Sequence, residues 1–132
     1  MNIQIGQKAE MKKVIAEADL LAFGELSGDR NPIHFDHEYA KTTPFKKVIA
    51  PGLYVASFIS AVLANHLPGA GSVYLSQELS FKAPVFVGDT VTAQVEVISI
   101  RIDKKIIELR TTCRNQNGQI VVEGKALTKL LG

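Results

Sequence analysis

The sequence PGLYVASFISAVLANH occupies residues 51–66 and contains no Asp, Glu, Lys or Arg. A helix that is apolar around nearly its whole circumference must be enclosed by other structure. Pro51 and Gly52 mark the beginning of such a helix, and Asn65, His66 and Pro68 mark its end. A helix within these limits is too short to span a bilayer. The stretch therefore predicts a buried central helix from Gly52 to His66 and no membrane span.

The chain that follows the helix alternates apolar and polar residues in the manner of half-buried strands. Four such segments run from Val73 to Phe81, Val91 to Val97, Ile107 to Cys113 and Ile120 to Leu130. Turn residues separate them at Gly88-Asp89, Asp103-Lys104 and Asn117-Gly118, and short hairpins impose antiparallel pairing. Within the first segment Gln77 falls on the apolar face, where a buried amide must find partners. We expect a structural hydrogen bond to the helix or a bulge in preference to contact with substrate.

The chain before the helix adds one strand, around Lys8 to Ile15, and a helix over AEADLLAFGELSG that ends at Gly28. Together the elements predict an α+β fold, in which an antiparallel sheet of about five strands wraps around the long central helix. We expect a single domain over residues 1–132. Because one such sheet leaves exposed edges, we also expect a symmetric homodimer.

The composition argues against several classes of function. The net charge is only +2 with scattered basic residues, which disfavours nucleic-acid binding. The single cysteine, Cys113, cannot form an internal disulfide, and the three histidines lack metal-ligand spacing. The first residues lack the features of a signal peptide. We therefore expect a cytoplasmic protein without a metal.

The stretch SGDRNPIH, residues 27–34, places a carboxylate and an imidazole five residues apart around Pro32. Gly, Asp, Asn and Pro are the residues of an ordinary turn, so a turn alone would explain the composition. Asp29 and His34 would nevertheless suffice to activate a water molecule if both faced one cavity. Spacing alone leaves both interpretations open.

The longer run FGELSGDRNPIH, residues 23–34, resembles the hydratase motif of the MaoC-like (R)-specific enoyl-CoA hydratases. The resemblance continues through LPGAGSVYLSQELSFKAPVFVGDTVTAQVEV, residues 67–97, and is strongest to the short hydratases of polyhydroxyalkanoate synthesis. It implies the hot-dog fold, a homodimer and an acyl-CoA thioester as substrate. It implies no separate cofactor, since coenzyme A is part of the substrate.

The resemblance also implies roles for individual residues. Asp29 and His34 would be the catalytic pair that adds one water to a trans-2-enoyl-CoA, and the backbone amide of Gly52 would form the oxyanion hole. Asn31 would support the bend, and Ser60 would lie near the substrate unless its hydroxyl bonds back along its own helix. One position departs from many relatives, which have His-Gly where this chain has Pro51-Gly52.

Three alternatives remain at the level of sequence. A hot-dog thioesterase or an acyl-carrier-protein dehydratase would need an acidic residue on the central helix, which has none. A non-catalytic acyl-CoA-binding module would not need both Asp29 and His34. Lys46, Lys47 and Lys82 are candidates for contacts with the phosphates of coenzyme A.

Overall fold

The computed structural model describes residues 2–132, and its elements follow the predicted order. The five strands are β1 (Lys8–Val14), β2 (Ser72–Phe81), β3 (Thr90–Arg101), β4 (Ile106–Arg114) and β5 (Ile120–Leu130). The three α-helices are α1 (Glu17–Ser27), α2 (His37–Lys41) and α3 (Gly52–Asn65). A single turn of 3-10 helix, Pro32–His34, lies between α1 and α2 and was not predicted.

The strands form one antiparallel sheet in the order β1-β3-β4-β5-β2. The turn at Gly88-Asp89 was expected to join a hairpin, and this expectation was wrong, because β2 pairs with β5 and not with β3. The connection from β2 to β3 instead crosses the sheet, and on its way Phe86 forms an isolated bridge with Ile49. β2 is therefore an edge strand, which the local turn signals could not show.

The central helix α3 contacts all five strands of the sheet. Its buried residues, with Val55, Ile59 and Val62 almost inaccessible, join one core cluster with the inward residues of the strands. This arrangement confirms the expected sheet wrapped around a helix. No helix within residues 2–132 is both long and apolar enough to cross a membrane.

The burial of the apolar side chains on β2 differs from the prediction. The predicted apolar side chains of β2 stay partly exposed, with Val73 39%, Leu75 48% and Phe81 53% accessible. The register of β2 also shifts between Tyr74 and Ser76, which leaves Leu75 in a bulge. An edge strand has a neighbour on one side only, so its apolar face is less completely covered than that of a central strand.

Helix α1 also departs from its sequence pattern. The stripe that suggested the helix, which includes Leu21 and Leu26, is exposed, whereas Leu20 and Gly24 are buried. Gly28 ends the helix in the left-handed conformation (φ 83°), and its N–H donates to the carbonyl of Gly24. This C-cap confirms the predicted end of the helix.

Candidate active site

Asp29 and His34 face each other where the chain leaves α1. The distance between Asp29 Oδ2 and His34 Nε2 is 3.7 Å, and their side chains are 35% and 11% exposed. A separation of 3.7 Å is too long for a direct hydrogen bond. It leaves both atoms free to contact a third group, and a single water molecule is small enough to do so.

The orientation of His34 is fixed by a backbone carbonyl. His34 Nδ1 lies 2.8 Å from the carbonyl oxygen of Ile49. A carbonyl can only accept a hydrogen bond, so Nδ1 carries the proton. In the neutral imidazole Nε2 is then an acceptor, and it is this nitrogen that faces Asp29.

The carboxylate of Asp29 is held by the bend that follows α1. The N–H of Asn31 donates to Asp29 Oδ1 at 3.1 Å, and the N–H of Asp29 donates to Ser27 Oγ at 3.1 Å. The side chain of Asn31 accepts a hydrogen bond from the N–H of Ile33 at 3.3 Å and caps the 3-10 turn that carries His34. Asn31 thus contacts the backbone around both residues, and its side chain is not among the cavity-lining groups.

Arg30, which follows Asp29 in the chain, forms its ion pair with Glu25 and not with Asp29. Arg30 Nη1 lies 2.7 Å from Glu25 Oε1 in an exposed ion pair. The hydrogen bond and the charge of the guanidinium lower the pKa of Glu25. Among residues 2–132, His34 is the ionisable side chain that faces the Asp29 carboxylate.

A cavity of about 820 Å³ contains the pair. Its wall is mainly apolar and combines the end of α1, the start of α3, the end of β2 and part of β5. The residues that line it include Phe23, Asp29, His34, Phe45, Ile49, Gly52, Leu53, Phe81, Lys82, Val121 and Val122. An apolar cavity with a few polar groups is typical of a small-molecule site.

The N-terminus of α3 opens into the same cavity. Gly52 is the first residue of the helix, and Pro51 precedes it with no side-chain cap. Backbone N–H groups in the first turn of a helix lack helical partners and favour negative charge. A Cβ at position 52 would lie 2.6 Å from Phe81 Cε1, so the glycine lets this ring pack directly on the helix. Sequence reasoning did not find this contact, because it joins two elements that are distant in the chain.

A second glycine supports the pair from α1. A Cβ at Gly24 would lie 2.7 Å from Phe35 Cζ and 3.0 Å from the carbonyl oxygen of Asp29. Phe35 in turn packs edge-on against the His34 ring, with centroids 5.9 Å apart. Gly24 therefore permits both the backbone of Asp29 and the neighbour of His34 to approach the helix. The motif contains this glycine, but its spacing alone gave no sign of the contact.

A family model described as the MaoC like domain matches residues 2–119. The chain belongs to the MaoC-like family. The chain is 48% identical over 129 residues to an (R)-specific enoyl-CoA hydratase of Aeromonas caviae, with 98% of this chain and 96% of the relative covered. It is 50% identical to an (R)-specific enoyl-CoA hydratase of Rhodospirillum rubrum, with 95% and 86% covered.

The solved structures agree with this membership. An (R)-hydratase from A. caviae involved in PHA biosynthesis superimposes on this MaoC-like chain with a TM-score of 0.95 at 48% identity, covering 98% of each chain. The fold is accordingly the hot-dog fold that the resemblance implied. With relatives of this identity, the protein is an enzyme of the hydratase–dehydratase class.

Ser60 does not line the cavity that contains the pair in this MaoC-like chain. It lines a second cavity of about 350 Å³ between α3 and β2, together with Gln77, Leu53 and other residues. Leu53 borders both cavities, which places them next to each other. The back-bonding serine of the helix is Ser57, whose hydroxyl donates to the carbonyl of Tyr54 at 2.5 Å. Ser60 thus lines the second cavity, and its proximity to the substrate stays a prediction.

Gln77 finds the partners that its position requires. Its Nε2 donates to Thr111 Oγ1 at 2.9 Å and to the carbonyl of Glu78 at 2.8 Å, and Tyr74 donates to its Oε1. Thr111 is fully buried. The amide therefore ties the edge strand β2 to β4 across β5. Its role is structural, as expected, but its side-chain partner lies on a strand and not on the central helix.

Proposed function

We propose that this MaoC-like enzyme adds water reversibly to trans-2-enoyl-CoA and forms (R)-3-hydroxyacyl-CoA. The observation that carries the proposal is the 3.7 Å separation of Asp29 Oδ2 and His34 Nε2 in a cavity that also receives the start of α3. The relatives named (R)-specific enoyl-CoA hydratase support the substrate class and the stereochemistry. Coenzyme A is part of the substrate, and the proposed reaction needs no other cofactor.

The pair can hold and activate one water molecule. Both Asp29 Oδ2 and His34 Nε2 are acceptors, so one water can donate a hydrogen bond to each and turn its lone pair toward C3 of the substrate. As the oxygen bonds to C3, one of the two residues takes a proton from the water. The electrons of the C2–C3 double bond move toward the thioester oxygen. The proton then passes to C2, and the carbonyl of the thioester forms again.

The start of α3 suits the charge that develops on the thioester oxygen. We assign the N–H of Gly52 as the donor to this oxygen, because Gly52 is the first residue of the helix and lines the cavity. Pro51 has no N–H, so it cannot share this role. Asn31 acts as a positioning residue through its bonds to the bend.

Two copies of the chain would cover the exposed edge of the sheet. β2 has one strand neighbour, and its apolar side chains adjoin Leu53, which is 62% exposed. We propose a homodimer through this face, with the second cavity and Ser60 next to the interface. Light scattering coupled to size-exclusion chromatography should give twice the 14.4 kDa chain mass. Replacement of Leu75 by Lys should shift the protein toward the monomer, and a wild type of single-chain mass would contradict the dimer.

The activity is tested by following the enoyl-thioester absorbance of crotonyl-CoA. We expect rapid hydration by the wild type and loss of at least about 100-fold in kcat for Asp29→Asn and for His34→Ala. The product should be a substrate for a dehydrogenase specific for (R)-3-hydroxyacyl-CoA. Asp103→Asn and His66→Ala, at exposed positions outside the cavity, are matched controls that should retain full activity.

Other outcomes point to the alternatives. Release of free coenzyme A without hydration would support a thioesterase. Binding of crotonyl-CoA without turnover would support a non-catalytic binding module. Unimpaired hydration by both folded variants would contradict the assignment of the pair while leaving the activity itself intact.

A further inference from the structure

A further cavity, with a basic lining, shares the chain segment 45–49 with the main cavity. We call it the basic cavity, and it has a volume of about 250 Å³. Its lining combines four basic side chains with three apolar ones: His37, Lys41, Lys46, Lys47, Val48, Phe86 and Val87. Acidic residues are absent from this lining.

Two of the four basic groups already have acidic partners. His37 bonds to Glu17, and Lys41 Nζ lies 2.9 Å from Glu38 Oε1. Lys46 and Lys47 have no carboxylate within 4.0 Å among residues 2–132. The cavity therefore carries uncompensated positive charge at these two lysines, which favours an anionic ligand.

The local structure places both Lys46 and Lys47 in the lining of the basic cavity. Lys46 adopts a left-handed conformation (φ 65°), which is unfavourable for a residue other than glycine. The ammonium group of Lys47 lies over the ring of Phe86, 4.7 Å from its centroid. This cation–π contact restricts the positions that the ammonium group can occupy.

The same chain segment forms part of both cavities. Phe45 and Ile49 line the main cavity, whereas Lys46 and Lys47 line the basic one. The segment is fixed by the bridge between Ile49 and Phe86, and the carbonyl of Ile49 orients His34. A ligand with a reactive end and a distant anionic end, joined by a flexible arm, matches this pair of neighbouring cavities.

We propose that Lys46 and Lys47 bind the phosphate groups of the coenzyme A moiety while the acyl thioester occupies the main cavity. This inference rests on the proposed function, because the thioester substrate supplies the phosphates. Lys ammonium groups bind phosphate as point charges and at exposed positions are screened by salt. The lysines contribute to substrate binding and take no part in the reaction at C2 and C3.

The test compares crotonyl-CoA with the crotonyl thioester of pantetheine, which has the same reactive end and no phosphate. For Lys46→Ala and Lys47→Ala we expect KM for crotonyl-CoA to rise about 3- to 10-fold each, with kcat within about twofold. KM for the pantetheine thioester should stay unchanged. Lys104→Ala, which removes an exposed lysine from the turn between β3 and β4, is the matched control and should resemble the wild type.

A binding measurement separates this inference from the proposed activity. Adenosine 3′,5′-bisphosphate, a fragment of coenzyme A, should bind the wild type in calorimetry and bind the Lys46→Ala/Lys47→Ala double variant more weakly. If the wild type hydrates neither thioester, the proposed function fails and this measurement still decides the phosphate site.

Three results would overturn the inference. One is an unchanged KM for crotonyl-CoA in the double variant. Another is an equal rise in KM for the pantetheine thioester, which would indicate a structural effect of the substitutions. The third is slower turnover of a carrier-protein thioester with unchanged kinetics for crotonyl-CoA, which would assign the lysines to an acidic protein surface.

Discussion

At His34 the direction of one hydrogen bond decides which ring nitrogen can meet a substrate. The carbonyl of Ile49 requires the proton on Nδ1, and Nε2 is left as the acceptor that faces Asp29. Sequence reasoning identified both members of the pair as candidates from a motif. It could not identify Ile49, because a backbone carbonyl leaves no signature in the side-chain sequence and lies 15 residues away.

The close packing of Gly52 against Phe81 gives a test at the level of single side chains. In Gly52→Ala the new Cβ would meet Phe81 Cε1 at 2.6 Å, and the half-exposed ring would have to move. Because the ring forms part of the cavity wall beside the proposed oxyanion donor, we expect kcat/KM for crotonyl-CoA to fall roughly 10- to 100-fold. The double variant Gly52→Ala/Phe81→Leu should recover much of the loss. A fully active Gly52→Ala would show that the position of the ring does not matter for the reaction.

At the scale of elements, the order of helices and strands was predictable because each has a clear local pattern. The bounds of α3 and the end of α1 at Gly28 follow from residues that begin or end helices. The faces of α1 and β2 were not predictable in the same way. Their burial depends on partners from distant parts of the chain, such as Phe35 against Gly24, and on the position of β2 at the sheet edge.

Helix α1 supports the bend that carries Asp29 and His34, and Gly24→Ala tests this role. The added Cβ would lie 3.0 Å from the carbonyl oxygen of Asp29 and 2.7 Å from Phe35, so the bend must shift away from the helix. We expect kcat to fall about 10- to 100-fold with little change in KM, since the pair moves while the apolar cavity persists. Leu21→Ala, at an exposed site on the same helix, is the control. A lower melting temperature with unchanged kcat would reduce Gly24 to a purely structural role.

At the scale of the whole molecule, the core and the site share the same helix. The first turn of α3 faces the main cavity, and its later turns are enclosed by the sheet. Anything that loosens the contact between α3 and the sheet therefore affects both stability and the site. Cys113 on β4 lies in this contact, is completely buried, and has its Sγ 3.9 Å from the carbonyl of Val55 on α3.

Burial raises the pKa of the Cys113 thiol from its ordinary value of 9.0 to about 12, which links the stability of the whole fold to pH. Above pH 9 the Cys113 thiol keeps its proton in the folded state and loses it in the unfolded chain. The contribution of the thiol to the free energy of unfolding should therefore be nearly constant below pH 9 and fall by roughly 1 kcal/mol per pH unit as the pH rises toward the pKa of the folded state. Tyr54, whose pKa burial and Asp19 raise to about 12, adds a similar loss above pH 10. Burial also raises the pKa of Tyr74. Urea unfolding of the wild type and of Cys113→Ala at pH 7.5, 9, 10 and 11, at one protein concentration, isolates the contribution of the thiol, because the variant keeps the contributions of the tyrosines. A stability difference between the two proteins that does not change with pH would contradict the burial of a neutral thiol as the source of this dependence.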